Sequence, residues 1–75
     1  HKLPRARKLW TTEEVDALKD GILKIGVGKW LDIYKLHIKT WRKYGRTSGD
    51  IKDKYRRLRE KVDFQLFLKN NNIQF

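Results

Sequence analysis

Seventy-five residues hold one small domain at most, and a chain of this length buries only about 60% of its unfolded surface. Nineteen Lys and Arg against nine Asp and Glu give a formal net charge of +10, which points to a polyanionic partner. The lack of cysteine excludes disulfides and thiolate metal sites, and no apolar run is long enough to span a membrane.

The chain starts at His1, contains no methionine and shows no signal peptide, and it reads as a domain cut from a longer protein. Its first eight residues carry Lys2, Arg5, Arg7 and Lys8 and no acid. With Pro4 and no helical period, this segment is expected to be a flexible basic arm. In "WTTEEVDALKDGILKIG", Thr11 and Glu14 fit a capping box. Trp10 and Val15 stand at the positions of a hydrophobic staple. Val15, Leu18, Ile22 and Ile25 recur at helical spacing, and Gly26 is the expected stop. Here the charge reverses, with Glu13, Glu14, Asp16 and Asp20 against Lys19 and Lys24.

"VGKWLDIYKLH" predicts a shorter second helix with Trp30, Ile33 or Tyr34, and His37 on one face. From His37 to Arg46 the period dissolves, and the stretch is expected to be a long basic connector carrying Trp41 as an exposed ring or a cap at the core edge. A third helix follows in "TSGDIKDKYRRLRE", opened by the Thr47–Asp50 start signal. Ile51, Tyr55, Leu58 and Val62 form its apolar stripe, which Leu66 extends. Beyond it the helix is expected either to continue or to break and pack back, with the asparagine run at 70–72 as its end.

The reading is therefore all-α: a three-helix bundle with a helix-turn-helix, in which Trp10, Trp30 and Tyr55 each give one ring to a shared core. The expected divisions are an arm at 1–9, a three-helix domain at 10–62 and a C-terminal extension at 63–75.

On the third helix Lys52, Asp53 and Arg56 fall together on the outward half. An acid amid such charge can pair with Arg56 or Arg57, or it can accept a hydrogen bond from cytosine N4 in a major groove. Geometry alone leaves the two readings open. Enzyme chemistry finds no footing here. The chain offers one serine, no histidine–acid pair at useful spacing, no phosphate-cradling glycine loop and no metal-ligand cluster. Neither catalytic residues nor cofactors are expected.

Trp10, Trp30 and Tyr55 resemble the spaced aromatics of a Myb repeat, and "GDIKDKYR" resembles the telobox, commonly V-D-L-K-D-K-W-R. The chain thus looks like a telobox Myb-type telomeric repeat-binding domain from about Arg5 to Lys61, with "WTTEEV" and "GVGKW" matching family habits. The resemblance implies binding of double-stranded telomeric DNA in the nucleus, with the third helix in the major groove. Lys52 would then face guanines, Asp53 a cytosine, and Arg56 base edges or phosphate. The arm would enter the minor groove through Arg7, the best match, with Arg5 or Lys8 as substitutes. The expected backbone contacts are Lys29, Trp30, Lys43, Arg46, Lys54, Arg57 and Arg59.

Three departures from the pattern stand out. Gly49 replaces an aliphatic residue, Tyr55 replaces tryptophan, and the stretch before the third helix is longer than in most relatives. A SANT-like protein-binding domain and general RNA or polyanion binding are the alternatives. RNA binding would draw on Trp41 and Tyr44 for stacking. Dimerisation, if any, would fall to regions outside this chain.

Overall fold

The computed structural model describes residues 9–73, and the arm residues Arg5, Arg7 and Lys8 lie outside them. The described residues form five helices and no strand: α1 (Thr12–Lys24), α2 (Trp30–Leu36), α3 (Ile38–Lys43), α4 (Ser48–Leu58) and α5 (Val62–Asn70).

The capping box opens α1 as expected. The Glu14 amide donates to Thr11 Oγ1 at 3.2 Å, and the Thr11 amide donates to Glu14 Oε1 at 2.8 Å. The inward face is broader than the stripe of large aliphatics. Leu18 and Ile22 are buried, and so are Glu14, Ala17 and Gly21, while Val15 and Ile25 are only half-buried. Gly21 is there for close approach. A Cβ at this position would stand 2.6 Å from Cγ2 of Ile33, which is itself fully buried on α2. Gly21→Ala should therefore cost about 1–3 kcal/mol by overpacking, although alanine is the better helix former. A urea titration showing the variant equal to or more stable than the parent would contradict this contact.

The stretch expected to be a connector is instead helical. Backbone bonds carry the chain through a kink at His37, from its amide to Ile33 O and from the Trp41 amide to His37 O. Trp41 is fully buried, not exposed. Its Nε1 donates to Ile33 O at 3.2 Å, and its ring lies 5.6 Å from that of Trp10. Burying so large a ring outweighs the weak local pattern. The helix ends in a Schellman motif: Gly45 has φ +70°, its amide donates to Arg42 O, and the Arg46 amide reaches Trp41 O.

The rings form two groups rather than one shared trio. Trp10 pairs with Trp41, while Trp30 meets Tyr55 at 5.1 Å, Tyr55 meets Phe64 at 5.9 Å, and Phe64 meets Phe67 at 5.4 Å. Ile51, Tyr55 and Leu58 are the inward face of α4, as the stripe requires. The stripe does not run on to Val62 and Leu66, which are 67% and 49% exposed. A turn over Arg59–Lys61 breaks the helix and resets its phase, so Phe64 and Leu68, one turn apart, face the core from α5. Asn72, at φ 57°, closes α5 with a second Schellman motif, which turns Ile73 back against the core.

Candidate nucleic-acid interface

The start of α4 is fixed by its own capping box. The Asp50 amide donates to Thr47 Oγ1 at 3.2 Å, and the Thr47 amide donates to Asp50 Oδ2 at 2.9 Å. With Ile51, Tyr55 and Leu58 inward, helical geometry puts Gly49, Lys52, Asp53 and Arg56 on one outward face, and all four are exposed. Among the described residues, none of Lys52, Asp53, Arg56 or Arg57 takes part in an ion pair. Arg56 and Arg57 stand one turn from Asp53, yet neither is bound to it. The surface-pair reading of Asp53 is therefore absent from this structure. The acid faces solvent with its hydrogen-bonding capacity unspent.

Gly49 sits in the first turn of this face, where a Cβ would meet only Thr47 Oγ1, at 3.7 Å. Gly49→Ala should fit without strain and raise stability by about 0.4–1 kcal/mol, measured as a higher unfolding midpoint.

The other basic residues divide by environment. Lys29, Arg57 and Arg59 are exposed. Lys54 is half-buried, with its ammonium 5.6 Å from the centre of the Trp10 ring. Burial first, then the Arg57, Lys61 and Arg46 charges, push its pKa below the ordinary lysine value. Trp30 is half-buried against Tyr55. Lys43 is exposed but paired with Glu13 at 3.3 Å, and Tyr44 donates its hydroxyl to the same carboxylate at 2.8 Å. Those two bonds, Tyr44 first, hold the Glu13 carboxyl below its ordinary range.

Arg46 points inward. Its Nε donates to Oε2 of the fully buried Glu14, its Nη2 reaches Leu9 O at 3.4 Å, and its guanidinium lies 4.8 Å from the Trp10 ring centre. Burial disfavours the charged form of Glu14, but Arg46 and the Thr11 amide outweigh it and hold the carboxyl below its ordinary value. This cluster ties the residues just after the arm to the residue just before the α4 cap. It fixes where α4 sits relative to Leu9 and Trp10.

Sequence reasoning found the α4 face but missed this buried pair. Glu14 is accounted for as a cap, and nothing in its spacing from Arg46 predicts that the two meet. Asp20 and His37 were also invisible as partners, although His37 Nε2 lies 2.7 Å from Asp20 Oδ2 and clasps α1 to the α2–α3 kink. No group of His, Cys, Asp and Glu among the described residues could hold a metal ion, and none of the described helices is long and apolar enough to cross a membrane.

A small all-helical core with an exposed, charge-dense α4 fits the class of small DNA-binding domains. A family model for the Myb-like DNA-binding domain matches residues 7–59, and the chain belongs to that family. It is a DNA-binding module, not an enzyme. It is 42% identical over 52 residues to the Arabidopsis thaliana protein named telomere repeat-binding factor 1, a match covering 69% of this chain and 17% of that one. The Zea mays protein named single myb histone 3 is also 42% identical over 52 residues, covering 69% and 18%. Telomere repeat-binding factor 2 of Arabidopsis thaliana is 40% identical over 57 residues, covering 69% and 17%. The chain spans less than a fifth of the length of these relatives. No solved structure matches it. The helix α5 lies beyond the matched residues.

Proposed function

We propose that this domain binds double-stranded telomeric repeat DNA at chromosome ends, with α4 in the major groove and the basic arm in the minor groove. The observation that carries the reading is the exposed Asp53, without an ion-pair partner among the described residues, between Lys52 and Arg56 on the outward face of α4. An unpaired acid facing a polyanion is unfavourable unless it accepts a bond that phosphate cannot supply. Cytosine N4 offers that bond, and a lysine or arginine beside it matches guanine O6 and N7. Lys52 and Asp53 therefore read bases, with Arg56 on base edges or phosphate. Arg7 enters the minor groove, with Arg5 and Lys8 beside it.

Phosphate contacts fall first to the exposed Lys29, Arg57 and Arg59. Trp30, Lys43, Arg46 and Lys54 contribute mainly by shaping the protein surface, because each is engaged within the protein. The relatives named for telomere repeats support the choice of sequence. Trp41, one of the two rings that single-stranded RNA would need for stacking, lies in the core. Titration with telomeric duplex and with scrambled duplex of equal composition tests the proposal. The repeat should bind at least about tenfold tighter. Equal affinity for the two would overturn it.

A further inference from the structure

We propose that the outward face of α3 is a second anion-binding surface, on which Lys39 and Arg42 grip the phosphate backbone of the duplex beside the stretch that α4 reads. This rests on the reading that duplex DNA is the ligand. It adds a contact on a helix that the sequence alone did not reveal.

Lys24 is paired with Asp20, Lys43 with Glu13 and Arg46 with Glu14. Lys39 and Arg42 are exposed, stand one turn apart on the same helix, and have no ion-pair partner among the described residues. Glu13, which reaches the end of α3 from α1, is held by Lys43 and Tyr44. The positive potential of the pair is therefore left for an outside anion.

Trp41 lies between these residues in sequence and is fully buried, with its Nε1 on Ile33 O and its ring on Trp10. It faces the core while Lys39 and Arg42 face away. A fixed platform lowers the ordering cost of each phosphate contact. A floppy connector of the same composition would lack that advantage.

Proximity selects the occupant. Only Tyr44, Gly45, Arg46 and Thr47 separate α3 from α4. Five residue steps span at most about 18 Å, roughly half a helical turn of B-DNA. The duplex entered by α4 is thus within reach of α3, and no second nucleic acid is needed to explain the charge.

The test compares the parent domain with Lys39→Ala/Arg42→Ala on two duplexes. One carries the repeat with about ten base pairs on each side, and the other carries the repeat alone. On the long duplex the variant should bind more weakly with unchanged base preference. Its log–log salt slope should be shallower by about two units, so its deficit should shrink about tenfold between 50 and 200 mM salt. On the short duplex the two proteins should bind alike. The charge-preserving Lys39→Arg/Arg42→Lys should keep the parent slope, and the melting temperature should not move in either variant. Equal slopes on the long duplex would overturn the proposal. A deficit equally large on the short duplex would overturn the assignment to the flank. Run on a scrambled long duplex, the same comparison stays decisive even if the parent shows no preference for the repeat, an outcome that would count only against base reading by α4.

Discussion

Trp41→Ala should destabilise the domain by about 3–5 kcal/mol, a loss that a chain of this size can barely sustain. The ring is fully buried, touches Trp10, and holds the middle of α2 through Ile33 O. Alanine would leave a cavity that α3 cannot collapse to fill, because the helix is short and clamped at both ends. One end is the His37 kink, and the other is the Schellman turn at Gly45. Since a short turn joins α3 to the α4 cap, its loss would also loosen α4. Urea unfolding followed by far-ultraviolet circular dichroism measures the effect. A cost below about 1 kcal/mol would mean that the ring is a dispensable surface cap.

Glu14→Ala should cost a similar amount, about 3–5 kcal/mol, because it breaks a buried ion pair and strands the other charge. The carboxylate closes the α1 capping box as well as receiving Arg46, so two structural jobs fail together. The same residue sets a pH dependence. Its folded pKa lies below the ordinary glutamate value, so its contribution is fully present above the unfolded pKa. The contribution is lost as pH falls through the folded pKa. Glu13 and Asp20 are depressed in the same direction and add to the acid limb, held by Tyr44 and His37 respectively before their lysine partners. Unfolding midpoints from neutral to strongly acid pH should therefore decline for the parent and decline less for Glu14→Gln. Parallel curves for the two proteins would remove Glu14 from this role.

Both effects live on residues that sequence reasoning valued for something else. The capping boxes at Thr11 and Thr47, the glycine stop after α1 and the inward stripe of α4 were legible, because each rests on spacing within a few residues. The α4 face was legible for the same reason, since a helical wheel needs only local sequence. The α3 helix was not. Its signals were present in Arg42 and Lys43 in a last turn and in Gly45 after it, but six residues are too few to show a period. What makes the segment helical is a tertiary event, the burial of Trp41 against residues far away in sequence. The reset at Arg59–Lys61 misled in the opposite way. Val62 and Leu66 keep the α4 spacing yet face solvent, because three irregular residues shift the phase. The Glu14–Arg46 and Asp20–His37 pairs join positions whose separation in sequence encodes nothing about their meeting.

On the proposed function, Asp53 reads a base rather than balancing a charge. Binding of the parent and of Asp53→Ala to telomeric duplexes substituted one base pair at a time, at several salt concentrations, tests it most directly. The variant should lose about 1–3 kcal/mol of discrimination at one G·C pair and bind scrambled duplex more tightly, because an acid facing phosphate has gone. An Asp53→Ala domain that keeps the parent's base preference at every position would contradict it.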